Sequence, residues 1–470
     1  MHMHRAAGRP NSFTHLNSQH LGLFHHAHIV VQLCTSYNSY IQMLFNACIQ
    51  MTWDRSRGRY RKARHKYRYI YLSIELLFIL LLYVRIASEQ GASTSGVNQG
   101  GGGTVAPTSM TDISSKFVKV SSQKKPERFV LTFVGDTMLW NVVYNWERTY
   151  DPNRALGAAF DDIRHLLEPS DFIIMNLEGP ISTLPLNTHA LRRSYSASFG
   201  MDPKVANVLK DLGVGAANGA NNHAGDRGVQ GMIDTRKHLH DVGIPYFGNG
   251  LSKEEQADPL IIQMPNGKTI SISSFLERDM LSDIVLDEQQ NQVHATLRPE
   301  PDDIDLAVKA LKRRGGADVK IAFPHWIANY LGHVPNMTVD GAHALADNGL
   351  FDLIVGSAGS HTVHRFDFVG GDEKIPCLYD IGNFVFMNPE KRIKRQGGEL
   401  SYFGSVTHLI FDAQGPKEFE IHCTQNNHKK VHFKPRPCLP EEADQLFATL
   451  GPYMDHKPGD IFAKVHLRQN

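Results

Sequence analysis

Asp136, Glu178, Asn222, His223 and His325 each fall one to a few residues past a short run of β-forming apolar residues. The C-terminal ends of buried parallel strands converge on the crevice where α/β folds take ligands. Carboxylate, amide and imidazole donors gathered there form a set suited to borderline divalent metals, which polarise an ester oxygen or acidify a water. The residue types at these positions therefore predict a metal-binding site. Each residue also has a plainer reading. Asp136 could cap the element that follows its strand, Glu178 could belong to the turn at Gly179-Pro180, and either imidazole could be a satisfied core group.

The elements that would position these groups read as strand–loop–helix units from residue 128 onward. Strands are expected at Arg128–Val134, Asp171–Met175, Val214–Ala217, Thr269–Phe275, Asp318–Phe323 and Phe351–Val355. Helices are expected at about Leu156–Leu167, 203–212, 229–242, Ile304–Arg314 and Gly341–Asn348. The stretches Cys377–Phe386, Ser405–Phe411 and Glu418–His422 read as closing antiparallel strands. Alternation of this kind predicts an α/β fold.

Upstream, the chain changes character. Residues 1–68 carry ten Lys/Arg against the single acid Asp54, which leaves 39 basic and 47 acidic residues in 69–470. The mildly acidic body argues against a nucleic-acid partner. Tyr69–Val84 follows the basic run, with its uninterrupted apolar part from Leu76 to Val84. Sixteen helical residues span about 24 Å, short of a hydrocarbon core of about 30 Å. The segment 69–88 therefore reads either as a signal peptide or as a short signal anchor, with the N-terminus cytoplasmic and the body translocated. The protein is expected to be membrane-anchored (N-in, C-out) or secreted, and its membrane contact is this segment. Residues 1–50 read as an upstream extension, and 89–126, with Gly100–Gly103, as a flexible linker. The body is assigned to 127–428 and a C-terminal tail to 429–470. Cys377, Cys423 and Cys438 lie on the translocated side, where one pair could bridge; the sequence does not choose it.

The segments Phe133–Met138, Asn176-Leu177-Glu178, Ala220–Gly228, His325-Trp326 and Asp380–Phe384 together resemble the bacterial capsule-synthesis CapA family. That family is associated with poly-γ-glutamate capsules and related in fold to calcineurin-like metallophosphoesterases. The resemblance covers about residues 128–412. It implies a four-layer metallophosphoesterase-like β-sandwich flanked by helices, with one or two divalent metal ions of the Mn, Fe or Zn class at the strand ends. Asp136, Glu178, Asn222, His325 and His361 are the implied metal ligands and His223 the implied catalytic imidazole. Asn221, Asp226, Trp326, Tyr330 and Asn383 are implied as substrate or loop support.

Two departures stand out. Asn329 replaces a glutamate usual in the family, and Ser357 and Ser360 fall in direct register with metal-ligating histidines. A hydroxyl is a poorer ligand than imidazole for such metals. His361 recovers one ligand by a one-residue loop shift, and His364 is a weaker candidate. The expected function is biosynthesis, processing or export of an extracellular anionic polymer such as poly-γ-glutamate, by metal-dependent hydrolysis, with the polymer or a small phosphoester as substrate. The alternative is a non-catalytic binding or scaffold protein that keeps the fold.

Overall fold

The structure is a computed structural model. It describes residues 116–121, 128–139, 157, 160–184, 199–277, 284–286, 292–294, 296–327, 333–358, 361–371, 374–386, 402–426 and 435–467. The segments 1–68 and 69–88, together with Ser360, Asn329 and Tyr330, lie outside the described residues. Among those described, no helix is long and apolar enough to cross a membrane.

The strands are β1 (Phe117–Lys119), β2 (Phe129–Thr137), β3 (Phe172–Leu177), β4 (Val214–Asn218), β5 (Tyr246–Phe247), β6 (Leu260–Gln263), β7 (Thr269–Leu276), β8 (Ile284–Leu286) and β9 (Gln292–His294). They continue with β10 (Val319–His325), β11 (Leu353–Val355), β12 (Phe366–Val369), β13 (Ile375–Leu378), β14 (Asn383–Val385), β15 (Phe403–Asp412), β16 (Gly415–Asn426), β17 (Pro435–Pro437) and β18 (Phe462–His466). The helices are α1 (Arg164–Leu167), α2 (Val205–Asp211), α3 (Gly228–Asp241), α4 (Lys253–Ala257), α5 (Pro301–Arg313), α6 (Asn336–Asp347) and α7 (Pro440–Phe447).

A nine-stranded sheet runs β17-β16-β15-β2-β3-β4-β5, with β14 beside β2 and β18 beside β16. A seven-stranded sheet runs β1-β6-β7-β10-β11-β13-β12. The β2-β3-β4-β5 and β7-β10-β11-β13 runs are parallel. Period-two alternation decides which layer each residue joins. Phe133, Ile174, Ile321 and Phe323 share the core between the sheets, where the Phe133 and Phe323 rings lie 5.3 Å apart. Their neighbours Ile173 and Met175 turn the other way, toward Leu166 of α1, Leu209 of α2 and Leu239 of α3. Ala322 and Ile354 turn outward beneath Ile304 and Ala307 of α5 and Leu345 of α6. Helices, sheet, sheet and helices make four layers, the sandwich expected from sequence.

Strands β2 and β3 are covered on both faces, so every residue of each is buried, including the polar Asp136 and Asn176 at their C-terminal ends. Two boundaries differ from the sequence reading. The stretch assigned to the linker carries β1, paired in parallel with β6. The stretch assigned to the tail carries β17, α7 and β18, whose Phe447, Ala463 and Val465 join the core between the sheets. A Cys423–Cys438 disulfide ties β16 to the residue following β17, leaving Cys377 as a buried thiol.

Candidate metal-dependent active site

The polar residues past the strand ends come together. Strand β2 delivers Asp136, and the residue before it must be glycine, because a Cβ on Gly135 would stand 1.7 Å from the Gly382 carbonyl oxygen. That close approach lets β14 pair with β2 and sets Asn383 opposite Asp136. Glu178 directly follows β3, and β4 opens onto the loop carrying Asn221, Asn222, His223 and Asp226. His325 ends β10. Behind it, the buried Glu277 carboxylate accepts from Ile327 N at 2.7 Å and from the Thr338 hydroxyl at 2.5 Å, pinning the chain where it leaves the strand. His361 stands in the left-handed region at φ 62, a conformation unusual for a non-glycine residue and often found at functional sites.

The donors form two poles. At the glutamate pole, His325 Nε2 lies 3.0 Å from Asn222 Oδ1 and 3.9 Å from Glu178 Oε1, and His223 Nε2 lies 4.0 Å from the same Glu178 oxygen. At the aspartate pole, His361 Nδ1 lies 3.6 Å from Asp136 Oδ2 and 3.2 Å from Asn383 Oδ1. Asn176 joins the poles: its side-chain amide donates to Asp136 Oδ1 at 2.7 Å and stands 3.2 Å from His325 Nδ1. The Asn176 amide oxygen in turn faces the Asn218 and Asn221 amides, each at 3.4 Å.

His223 is held by a second carboxylate. Its Nδ1 lies 3.0 Å from Asp226 Oδ2, which also accepts from Phe199 N, and its ring meets Phe199 edge-on at 4.3 Å. This leaves Nε2 turned toward Glu178. Asn221 anchors the loop by donating to Leu177 O at 2.9 Å and accepting from His223 N at 3.2 Å. Trp326 is buried in the helix-side core with Phe275 and Leu345. Ser357, two residues past β11, pairs backbone to backbone with the His325–Trp326 segment, and its buried hydroxyl has no hydrogen-bond partner. His364 is buried and donates its backbone N–H to Asp380.

The electrostatics of the cluster are unbalanced. Burial and the neighbouring Asp136 push the Glu178 carboxyl well above its ordinary value. For Asp136 burial acts in the same direction, but the His361 and His325 imidazoles and the Asn176 amide together hold its carboxyl below the ordinary value. Burial depresses His325 to about 4, against the attraction of Asp136. Asp136 Oδ2 and Glu178 Oε2 are buried without hydrogen-bond partners. Two buried carboxylates with orphaned oxygens are costly unless a cation or proton compensates them.

Two ligands bonded to one cation at about 2.0–2.2 Å stand no more than about 4.4 Å apart. The 3.0, 3.6, 3.9 and 4.0 Å separations all fall inside that limit. Among the described residues, no three His, Cys, Asp or Glu side chains form a ready-made metal cage. The donor chemistry and the orphaned carboxylate oxygens therefore suit a divalent cation, with the amide oxygen of Asn222 completing the glutamate pole.

Asn176 and Glu277 were not singled out by sequence. Asn176 lies in the Asn176-Leu177-Glu178 motif, so its strand-end position is a usable signal; Glu277 sits past β7 just as Glu178 sits past β3.

The family described as bacterial capsule synthesis protein PGA_cap matches residues 130–388, more than half of the chain. The chain belongs to that family. The matched span contains each candidate ligand, from Asp136 to His361, and Asn383. The chain is similar to the PGA biosynthesis protein CapA of Bacillus subtilis (strain 168), 27% identical over 255 residues, covering 54% of this chain and 62% of that protein. It is also similar to the capsule biosynthesis protein CapA of Bacillus anthracis, 25% identical over 265 residues, 56% of this chain and 61% of that protein. The matches thus span about six tenths of these relatives' lengths. Strands β15–β18, beyond the PGA_cap match, complete the sheet that presents Asp136 and Glu178.

Proposed function

We propose that this PGA_cap-family protein acts in the biosynthesis, processing or export of an extracellular anionic polymer such as poly-γ-glutamate, by metal-dependent hydrolysis at the strand-end cluster. The observation that carries the reading is the convergence of Asp136, Glu178, Asn222, His325 and His361 around buried, unpartnered carboxylate oxygens. Support for the polymer comes from the family and from the names of the two Bacillus relatives. The Cys423–Cys438 disulfide fits an oxidising compartment, in keeping with a secreted or membrane-anchored body.

Glu178, Asn222 and His325 would hold one divalent cation of the Mn, Fe or Zn class, and Asp136 and His361 a second. A bound cation supplies Lewis-acid polarisation of the scissile group and an acidified water. The protein's own share lies in positioning and proton transfer. Asn176 fixes the Asp136 carboxylate and the His325 ring relative to one another. Asp226 holds His223 Nδ1, so that His223 Nε2 can deliver a proton to the leaving group or take one from the nucleophile. The scissile bond is a phosphoester or a γ-glutamyl amide.

A second reading, a scaffold that has lost catalysis, draws on Ser357, which brings a hydroxyl to a strand end beside His325. One experiment separates them. The purified full-length protein is analysed for bound metal and incubated with poly-γ-glutamate and with a chromogenic phosphodiester. Near-stoichiometric metal with turnover, both lost in His325→Ala, supports hydrolysis. A folded, metal-free protein without turnover after loading with Mn, Fe or Zn supports the scaffold.

A further inference from the structure

Arg227 precedes α3 and directly follows Asp226, the residue that holds His223. Its Nε is buried with no hydrogen-bond partner, and among the described residues it closes no ion pair. Burial lowers its affinity for its proton, and Asp226 next in sequence only partly opposes this. Other arginines of the fold are treated differently. Arg314 donates two bonds to the Asp258 carboxylate, at 2.7 and 2.6 Å, and Arg436 donates two to Glu442, both at 2.7 Å. A half-buried guanidinium with no such fork is short of an oxyanion.

The fold makes room for this side chain beside the candidate site. A Cβ on Gly200 would stand 2.5 Å from Arg227 Nε and 2.7 Å from Nη2, so the guanidinium lies against a position that has no side chain. The residue before Gly200 is Phe199, whose ring touches His223. The cation therefore flanks the wall of the acid–base imidazole.

We propose that Arg227 is a substrate-recognition residue that takes a carboxylate of the polymer through a two-bond fork, one unit removed from the bond presented to His223 and Glu178. The inference rests on the polymer reading above and gives it a specificity determinant. The planar guanidinium matches a carboxylate edge, and a polymer carrying a carboxylate on every unit offers one beside any scissile bond. The acidic body gives no general attraction for such a polymer, so recognition requires a local cation of this kind.

The test is equilibrium binding of a γ-linked glutamate decamer to full-length protein, with inorganic phosphate as a second probe and thermal melting as the check on folding. Arg227→Ala should weaken decamer binding about ten-fold, and Arg227→Lys should fall between it and the parent, since lysine keeps the charge but not the fork. Lys237→Ala removes an exposed cation from α3, the helix that Arg227 precedes, and should leave binding within about two-fold. Equal decamer affinity in parent and Arg227→Ala, no decamer binding by the parent, or an equal loss in Lys237→Ala overturns the proposal. Loss of phosphate binding alone in Arg227→Ala overturns the carboxylate assignment. Decamer binding that depends on Arg227 in a protein that hydrolyses nothing would leave this inference standing and remove only the catalytic reading.

Discussion

Two buried histidines on the sandwich show how differently the same residue type can be used. His325 ends β10 among Asp136, Glu178 and Asn222, and its neighbours retain orphaned carboxylate oxygens. His408 lies within β15, directly opposite Thr132 of β2, where its Nδ1 lies 2.7 Å from the Thr132 hydroxyl and that hydroxyl 2.6 Å from Ser170. Burial depresses both imidazoles, to about 4 and about 3. The first sits among charges that the protein does not neutralise, the second beside neutral hydroxyls and the His422–Glu420 pair. Burial and a shifted titration therefore do not mark a site by themselves; uncompensated carboxylate oxygen does.

The largest expected effect comes from neutralising that excess charge. Glu178→Gln keeps the shape of a protonated Glu178 and removes the repulsion from Asp136. A buried carboxyl whose affinity for protons is raised costs stability as pH rises above the ordinary carboxylate range, so the amide should stabilise the metal-free protein at pH 7 by about 0.5–2 kcal/mol. The same change should cut turnover at least about 100-fold and lower the bound metal. Urea unfolding with and without chelator, beside metal analysis, reads both. A variant that loses stability and keeps its metal would place Glu178 in the structural class with His408.

Next in size is the acid response of His408. Its titration in the fold lies near 3, against an ordinary value of 6.5, so the unfolded chain binds the extra proton between those limits. Stability from this group is complete above about pH 6.5 and is lost as pH falls toward 3, at a slope approaching about 1.4 kcal/mol per unit. The His408→Asn variant retains an acceptor near the Thr132 hydroxyl and cannot titrate. Denaturant midpoints taken from pH 7 down to pH 4 should fall more steeply in the parent than in the variant. Equal slopes would show that His408 is not held neutral, and the contrast with His325 would fail.

The sequence made the strand-end half of this contrast legible and left the rest hidden, for a physical reason. Asp136, Glu178 and His325 follow apolar runs that can only be buried strands, and strand ends converge by the geometry of parallel sheets. The four layers were implied by the resemblance to the CapA family, and the full burial of β2 and β3 agrees with them. His408 gave no sign, since its role depends on register with Thr132 across 276 residues of sequence. Asn176 was visible as a motif residue, but its bridge between Asp136 and His325 depends on two sheets meeting. The segment assigned to the tail misled because β17 is three residues long and gains its place from β16 and the Cys423–Cys438 link, both set by tertiary contacts.

The smallest expected effect tests the stretch after β11, where a serine stands beside His325. Ser357 lies two residues past β11, bridged to His325, and its hydroxyl is buried and unpartnered. An unsatisfied buried hydroxyl contributes nothing through bonding and carries a desolvation cost, so Ser357→Ala should leave stability unchanged or raise it by at most about 1 kcal/mol. If the two poles bind cations through Glu178, Asn222, His325, Asp136 and His361, the alanine variant should also retain the parent's metal content and turnover. A drop in bound metal would mean that the hydroxyl is itself a ligand, and the aspartate pole would then need a donor from β11 that its imidazole and carboxylate do not supply.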